Sequence, residues 1–297
     1  MAIASLAGKL FAEEALVAAT MAITPVSRFA HRYVEAENGK GASITVPLFD
    51  VGAAKDFGGD YTASAGSAKG VEIAINTHLF DNKEYTDRDF AQCPVAFWKG
   101  AGAAVGKSIG LGIAKKVVGL INKTNVKKDA THEVIFGTAT KKGLAGLSVN
   151  AEKAGLDPAE CTLLLGGKLF TETLAEMDSH IYGGDEAVKR GELTGGLYGF
   201  GHVMRCNCFT DGAGENLLGA IVHNSAIGYA SSPLAPESKN VLEEYGFQTD
   251  PASGLTIGFR RFGVNTSGKN YMIGEVLMGE ALVQPNAIVR LVSAATA

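Results

Sequence analysis

The sequence predicts a fold that combines α-helices with β-strands. Residues 3–21 and 89–122 place apolar side chains at helical spacing. Residues 71–79 alternate apolar and polar side chains as a half-buried strand does, and the C-terminal third carries short apolar segments separated by glycines. The 297 residues are enough for one large domain or two small ones, with ample material for a buried core.

The charge and the glycine content exclude several classes of protein. A formal net charge of −4, with 20% charged residues, argues against a dedicated nucleic-acid-binding domain, which would carry a strong basic excess. Glycine supplies 38 of the 297 residues, which is about twice its usual share. Because these glycines follow no triplet period, the chain is neither collagen-like nor of low complexity. They indicate turns, close backbone contacts or segments that change conformation.

The cysteines and the charge distribution predict a soluble protein made in the cytoplasm. The four cysteines are Cys93, Cys161, Cys206 and Cys208. They are too few and too irregularly spaced for a disulfide framework, which favours a reducing compartment. The N-terminus lacks the pattern of a signal peptide, because Glu13 and Glu14 interrupt its apolar residues. Lysines also interrupt the longest apolar stretch, so we expect no membrane-spanning helix.

The N-terminal segment is expected to form a helix followed by an extended arm. Apolar residues between positions 3 and 21 recur at three- and four-residue spacing and would bury one helix face. The Thr24-Pro25 pair ends this helix, because a residue before proline disfavours the helical conformation. Residues 28–40 are polar and are expected to be extended.

Two strand-forming segments with a glycine-rich stretch between them predict a long hairpin. Residues 44–49 form the first strand, and residues 71–79 form the second, with their odd-numbered side chains on one face. The stretch 52–70 carries little that could form a core. A hairpin of this length is usually functional or mobile. Two interpretations stay open, namely a disordered surface loop and an arm that becomes ordered on a neighbouring subunit.

Residues 89–122 predict the longest helix, which begins after Pro94. Each of its six glycines between positions 100 and 119 costs about 1 kcal/mol relative to alanine where it is exposed, so the helix requires packing along its length. Seven lysines and no acidic residue lie between positions 99 and 128. These lysines either form a solvated surface or contact nucleic-acid phosphates weakly, and they do not share a single helical face.

A short strand and two helices are expected in the middle of the chain. The strand covers residues 132–136, and the helices lie near 143–155 and 167–179. Ser148 and the Asp157-Pro158 pair are expected to mark where helices start and stop.

Residues 101–108, Ala-Gly-Ala-Ala-Val-Gly-Lys-Ser, match a relaxed phosphate-loop pattern with alanine in place of the first glycine. That chemistry would need backbone N–H groups around the phosphates, Lys107 on the β- and γ-phosphates and Ser108 on Mg²⁺. A hydrophobic strand should precede such a loop, but Pro94 interrupts that segment. Close helix packing explains the glycines better, so a phosphate-loop NTPase is a distant alternative.

His202, Cys206, Cys208 and His223 could supply a zinc site. Structural zinc prefers a two- to four-residue spacing with paired knuckles, so a thiol pair that faces the core is the favoured interpretation. The chain has no nucleophile elbow and no His-Glu-x-x-His motif. We therefore expect no catalytic residues, no cofactor and no metal, and we do not expect an enzyme.

The strand-forming segments near the C-terminus carry a family resemblance. They are residues 191–209, 219–229 and 274–291, and the last contains Gly-Glu-Ala-Leu-Val-Gln-Pro-Asn-Ala-Ile-Val. In the major capsid proteins of tailed bacteriophages, a Gly-Phe strand, an Ala-Ile strand and a closing G-x-A-x-x-x-P-x-A-x-V strand recur in this order. The chain resembles this family, whose subunits have the HK97-type fold.

The resemblance implies an α+β architecture with the elements of the HK97-like capsid fold. The implied parts are an N-terminal arm at 1–43, an extended loop hairpin at 44–80, a peripheral domain with a long spine helix at 81–145, an axial domain at 146–233 and returning strands of the peripheral domain at 234–297.

The resemblance also implies a structural function. Subunits of the family assemble as pentamers and hexamers into an icosahedral shell around a double-stranded DNA phage genome. Scaffolding, portal or decoration proteins would be partners, DNA contact would be weak and non-specific, and no membrane would take part. The chain would be a late virion protein that assembles in the host cytoplasm. An encapsulin-type compartment shell is the alternative, because the subunits of such shells have a fold that resembles the HK97-type fold.

Two sets of residues are candidates for contacts within such a shell. The candidates between subunits are Lys55, Asp56, Phe57, Arg88, Arg260 and Arg261. The candidates on the DNA side are Lys107, Lys115, Lys116 and Lys123.

Overall fold

The computed structural model describes most of the chain. It covers residues 5–33, 43–49, 68–92, 94–126, 129–176, 192–193, 197–209, 215–232, 234, 242–251, 253–264 and 269–293. The α-helices in these ranges are α1 Leu6–Ile23, α2 Asp87–Gln92, α3 Val95–Gly119, α4 Lys141–Lys153 and α5 Gly167–Glu176. None of the helices described here is long and apolar enough to cross a membrane.

The described strands form two six-stranded sheets and a hairpin. They are β1 Ala30–Arg32, β2 Ser43–Phe49, β3 Ala68–Ala74, β4 Thr77–Thr86, β5 Glu133–Ile135, β6 Cys161–Leu165, β7 Glu192–Leu193, β8 His202–Arg205, β9 Leu217–His223, β10 Ile227–Ser232, β11 Glu244–Thr249, β12 Thr256–Val264, β13 Lys269–Leu282 and β14 Ile288–Val292. The first sheet has the order β1-β10-β13-β12-β11, and β4 also pairs with β13. The second has the order β5-β14-β9-β6-β8-β7, and β2 pairs with β3 in the hairpin.

Two parallel helices cover one face of the first sheet. Helix α3 packs on β13 and β4, and α1 packs on β12 and β11. Three glycines of α3 lie directly against the backbone of α1, namely Gly102 against Phe11, Gly106 against Ala15 and Gly110 against Ala19. A Cβ atom at any of these glycines would overlap the opposing backbone. Glycine is therefore what allows the two helices to approach so closely.

The second sheet is buried on both faces. Leu163 and Leu165 of β6 lie in a core with α4 and α5. Leu164 of β6 and Ile288 of β14 point the other way, into a core shared with α1, α3 and the first sheet. This two-sided packing explains why every residue of β6 and of β14 is buried.

The base of the hairpin is anchored on the first sheet. Strands β2 and β3 pair in antiparallel register, and β4 then joins β13. Ile73 and Ile75 are buried with Ala230 and Val283 in a small apolar cluster. The backbone of β3 crosses Gly279 so closely that a Cβ atom there would overlap it. The hairpin therefore begins from a fixed platform.

Most of the helices and strands expected from the sequence are confirmed. These are the N-terminal helix, the long helix that starts directly after Pro94, the hairpin strands, β5 and the two central helices. Ser148 as a helix start is wrong, because it lies inside α4, where Thr140 is the N-cap and accepts the N–H of Gly143. The expected domain boundaries stay a prediction. In the strand pairing, β10 belongs to the first sheet, whereas β5 and β14 belong to the second.

The phosphate-loop interpretation of residues 101–108 is wrong. These residues lie in the middle of α3. Their backbone N–H groups are used within the helix, so they cannot surround a phosphate. The glycines of this segment serve the contact with α1.

Arg290 is a buried cation that links two strands of the second sheet to the segment that follows α3. The residue is 1% exposed. Its Nη1 atom lies 2.7 Å from Glu133 Oε2, and its Nη2 atom lies 2.7 Å from Glu215 Oε2. Glu215 Oε2 also accepts the backbone N–H of Lys123 at 3.0 Å. The cluster thus links β5, β14 and the segment that follows α3.

We expect Arg290→Met to lower the free energy of unfolding of the unassembled subunit by about 3 kcal/mol, because it leaves two carboxylates without their cation. Chemical denaturation measures this loss. Arg88→Met makes the same change at an exposed residue and should alter stability by less than about 0.5 kcal/mol. Equal stability of the two variants would show that the buried cluster contributes nothing.

Candidate assembly surface

One face of the first sheet is left uncovered by α1 and α3, and we call it the outer face. Gly274 of β13 faces Val105 of α3, so the adjacent Glu275 points to the outer face. A row of opposed residues crosses four strands there. Phe247 is opposite Gly258, Gly258 is opposite Glu275, and Glu275 is opposite Phe80.

The two aromatic residues of this row are exposed, whereas its carboxylate is buried. Phe80 is 62% exposed and Phe247 is 56% exposed, but Glu275 is only 2% exposed. Most large apolar side chains in the described structure lie in the core. Two exposed phenylalanines in one cross-strand row are therefore a candidate contact surface.

Glu275 is held by a histidine and an arginine on the outer face. His78 Nε2 lies 3.0 Å from Glu275 Oε2, and Arg260 Nε pairs with Glu275 Oε1. Gly258 leaves room for this pair, since a Cβ atom there would lie 3.1 Å from Glu275 Cγ. Charge-assisted hydrogen bonds of this kind are strong when one partner is buried. They fasten β4, which follows the hairpin, to β13 and β12.

Arg260 makes two further contacts at this point. Its guanidinium carbon lies 5.9 Å from the centre of the Tyr245 ring, and its Nη2 atom donates to the Leu234 carbonyl at 3.4 Å. The Tyr245 hydroxyl donates to the same carbonyl at 3.0 Å. Burial raises the pKa of Tyr245, and the charge of Glu275 raises it further. The hydroxyl therefore stays protonated and keeps its role as a donor.

Arg261 lies on the opposite side of the sheet and forms a second ion cluster. Its Nη2 atom lies 2.7 Å from Glu243 Oε2, and its Nη1 atom lies 3.8 Å from Glu244 Oε2. The Glu244 carboxylate accepts both the backbone N–H and the hydroxyl of Ser5 at 2.7 Å. Ser5 is the N-cap of α1. This cluster fixes the start of α1 on the edge of the first sheet.

The sequence matches no family model and no curated protein, but solved structures match almost the whole chain. The capsid structure of the cyanophage P-SCSP1u matches with a TM-score of 0.53 and 14% identity, over 89% of this chain and 86% of that one. A virus-like particle from Pyrococcus furiosus matches with a TM-score of 0.55 and 11% identity, over 95% and 98%. The capsid of a native GTA particle matches with a TM-score of 0.53 and 12% identity, over 93% and 91%.

The chain has the HK97-type capsid fold. The expected α+β fold class is confirmed with it. At such low identities the similarity concerns the fold, and it does not transfer single residues. In the terms of the HK97-type fold, α3 is the spine helix, and β2 and β3 form the extended hairpin.

The structure describes three of the six expected intersubunit residues. Lys55, Asp56 and Phe57 lie outside the described residues. Arg88 is exposed on α2, where its Nε atom donates to Gln92 Oε1 at 3.4 Å. Arg260 and Arg261 hold partners within their own chain. Their contact with a neighbouring subunit stays a prediction.

The expected DNA-side lysines lie on α3 or directly after it, and their contact with DNA stays a prediction. Lys107, Lys115 and Lys116 are exposed on the spine helix, and Lys123 is partly buried after its end. Lys115 acts electrostatically on Cys208, whereas Lys116 acts on Glu280. Burial raises the pKa of Glu280, and the charge of Lys116 opposes that rise. Lys115 and Lys116 therefore influence chemically different groups, a thiol in the first case and a carboxyl group in the second.

The structure describes no cluster that could hold a metal. Among the described residues, no three histidine, cysteine or acidic side chains are grouped for that purpose. His223 instead pairs with Glu160 at 2.9 Å, and Ser225 occupies its other ring nitrogen at 2.8 Å. Cys206 and Cys208 pack against the main core, as the thiol-pair interpretation expects.

Sequence reasoning missed the outer face and its buried carboxylate. Glu275 stands alone among apolar residues in the middle of β13, and a single charge in such a segment is the signal that could have revealed it. Phe80 and Phe247 carry no comparable signal, because an isolated aromatic residue in a strand usually faces a core.

Proposed function

We propose that this chain is a major capsid protein that self-assembles into an icosahedral shell enclosing a double-stranded DNA phage genome. The supporting observation is the match to capsid structures over nearly the full length of both chains. A short shared motif would leave the rest of the chain unexplained, whereas this match extends over 89% of the chain in one case and 93% in the other. The chain would be a virion component, made and assembled in the host cytoplasm.

Assembly would depend on surfaces, so the proposed function needs no catalytic group, no cofactor and no membrane. The base of the hairpin packs on the first sheet, and the outer face presents Phe80 and Phe247. Copies of the chain would meet in pentamers and hexamers through several such contacts. Each contact is modest, but simultaneous engagement raises the effective affinity steeply.

A protein compartment of the encapsulin type is the second candidate function. The match to a virus-like particle from Pyrococcus furiosus, over 98% of that chain, supports it. The two candidates share the shell and differ in what it encloses. Nucleic acid inside particles isolated with their natural contents would support the capsid, and an enclosed protein would support the compartment.

Packaged DNA and other virion proteins would be the remaining partners. Scaffolding, portal and decoration proteins are proposed from the fold alone. The exposed spine-helix lysines support weak, non-specific contact with DNA phosphates. We expect the combined change of Lys107, Lys115 and Lys116 to glutamine to leave empty shells intact and to weaken the salt-sensitive retention of DNA. Unchanged retention across salt concentrations would remove these lysines from the DNA side.

Sedimentation velocity of the purified full-length chain tests the proposed function. The proposal predicts a population of large, uniform particles, either for the chain alone or after coexpression with its genomic neighbours. A thermal-unfolding scan with Mg-ATP serves as the comparison with an enzyme, and it should show no stabilisation. A monomer that ATP stabilises would contradict both the capsid and the compartment.

A further inference from the structure

Two edges of the first sheet have no further strand beside them among the described residues. In the order β11-β12-β13-β4, each strand runs antiparallel to its neighbour. The described strands add nothing beyond β11 on one side or beyond β4 on the other, and we call these two sides the free edges. Such an edge presents a row of backbone N–H and C=O groups with which another strand can pair.

The backbone groups of Phe80 point to the free edge of β4. Along an antiparallel strand, successive residues direct their backbone groups alternately to one side and to the other. The Asn82 N–H donates to Asp81 Oδ1 at 2.8 Å. The Thr86 N–H donates to Asp89 Oδ2 at 2.9 Å. Both N–H groups are thus used on the side away from β13, and Phe80 belongs to the same alternate set of residues.

The backbone groups of Phe247 point to the free edge of β11. The N–H of Asp250, directly after this strand, donates to the Leu255 carbonyl at 2.9 Å, on the side of β12. Phe247 lies three residues earlier, so its backbone groups point to the other side. The hydroxyls of Thr249 and Thr256 lie 2.9 Å apart, as expected where two opposed residues do not share backbone hydrogen bonds.

We propose that β4 of one copy pairs in antiparallel register with β11 of a second copy of this chain, with Phe80 opposite Phe247 of the partner subunit. Since β4 runs antiparallel to β11, the second copy would continue the sheet in the same orientation. Such a head-to-tail contact generates rings where the rotation between copies closes. The inference rests on the proposed function and names the edges through which the copies of a pentamer or hexamer meet.

The exposed aromatic residues favour the pairing of unlike edges. Phe80 and Phe247 stand at the two ends of the row on the outer face, and both are more than half exposed. An aromatic pair in directly opposed positions is a stabilising cross-strand contact. Pairing of two β4 edges would leave the β11 edge and its phenylalanine uncovered. Pairing of unlike edges covers both phenylalanines in every copy of a ring.

The charges favour the same register. Three residues away from the phenylalanines, this register places Lys83 opposite Glu244 of the partner subunit, which is the one opposed pair of acidic and basic residues in it. Glu244 and Glu243 share Arg261 as their cation, so this end of β11 keeps a net negative charge. A slip by two residues in one direction would oppose Asp81 to a glutamate, which is destabilising. The opposite slip would separate the two aromatic side chains.

Disulfide trapping in the full-length chain tests the proposal. The two phenylalanines would form a hydrogen-bonded pair, whose Cα atoms lie about 5.5 Å apart, and a disulfide spans this distance. Assembled particles of the double variant Phe80→Cys, Phe247→Cys are oxidised and then dissociated in denaturant. We expect a ladder of covalent multimers that dithiothreitol reduces to the monomer. Coassembly of the two single variants should give mixed dimers and no longer products.

Three controls make the crosslink specific. Each single variant alone contains the native cysteines and should give no multimers. Phe97→Cys combined with Phe247→Cys should give none either, because Phe97 is 42% exposed on α3, which covers the other face of the sheet. Lys83→Glu should raise the concentration needed for half-maximal assembly about 10-fold, since it opposes like charges, and Lys83→Gln should raise it less.

Hydrogen exchange of the unsubstituted chain gives a second readout that no cysteine replacement can disturb. The amides of Phe80 and Phe247 should exchange rapidly in the unassembled subunit, because both face free edges. They should become protected together in the assembled particles.

Shells that give neither the crosslink between positions 80 and 247 nor this protection would overturn the inference and leave the proposed function intact. A disulfide dimer of Phe80→Cys alone would show that like edges meet, which also contradicts it. The absence of shells from every preparation would count against the proposed function and against this contact together.

Discussion

Deletion of residues 52–68 is expected to leave the subunit folded and to abolish shell assembly. The deletion spares the residues of β3 that pack on the first sheet. Ile73 and Ile75 keep their contacts with Ala230 and Val283 in the variant. The contact between His78 and Glu275 also remains. The core contacts described for the hairpin base are therefore kept in the variant, and we expect only the contacts with neighbouring copies to be lost.

The deletion is compatible with the pairing of the remaining strands. Leu48 and Lys69 are opposed residues of β2 and β3. Residues 49–51 would connect them after the deletion, and three-residue connections are common in hairpins. Circular dichroism and thermal unfolding of the unassembled variant should match those of the wild type. Sedimentation velocity and electron microscopy should find no closed shells.

Two further variants make this test specific. Replacement of residues 52–68 with a glycine-serine segment of equal length keeps the reach and removes the side chains. Alanine at Lys55, Asp56 and Phe57 changes only the candidate contact residues. Assembly lost in all three variants assigns the contact to those side chains, whereas assembly lost only in the deletion assigns it to length. Normal shells from the deletion would refute the proposed role of the hairpin.

Gly106→Ala is expected to destabilise the subunit by about 2 kcal/mol, although alanine is the better helix former. The added methyl group would overlap the carbonyl oxygen of Ala15, and its carbonyl carbon would lie 2.7 Å away. Both atoms belong to the backbone of α1, so no side-chain rotation relieves the overlap. Overpacking of this kind costs about 1–3 kcal/mol and more when the backbone must move. The helices would have to separate along their full contact.

Gly100→Ala is the matched control for this prediction. Gly100 lies in the same helix, and a Cβ atom there would meet no atom within 4 Å. Alanine at this exposed residue should stabilise the subunit by about 1 kcal/mol through helix propensity. Chemical denaturation of the two variants should therefore give changes of opposite sign. A stabilising effect at both residues would show that the close approach of α1 and α3 contributes little.

The sequence was sufficient for the elements whose signal is local. Apolar spacing together with Pro94 located the spine helix, because both the periodicity and the start of that helix depend on neighbouring residues. Alternation located the second hairpin strand, in which Ile73 and Ile75 are buried. The glycines of the spine helix indicate close packing, but they do not identify the helix against which they pack. Nothing within residues 100–110 specifies Ala15 as the residue that Gly106 meets.

The remaining features depend on contacts between distant parts of the chain. The sequence suggests Arg260 and Arg261 as contacts between subunits, yet both have partners within the subunit, including Glu275 and Glu243. Neighbouring residues on a strand point to opposite faces of the sheet. The residues that each one contacts there depend on how β11, β12 and β13 pair. The ion cluster of Arg290 has the same origin, because its two carboxylates lie far away in sequence.

Electron microscopy of the purified full-length chain, expressed alone and again with its genomic neighbours, tests the central claim most directly. The account predicts closed icosahedral shells in at least one of the two preparations. The subunit density in those shells should place the spine helix and the hairpin as described here, with the hairpin lying on a neighbouring copy. A protein that stays strictly monomeric in both preparations would contradict the account.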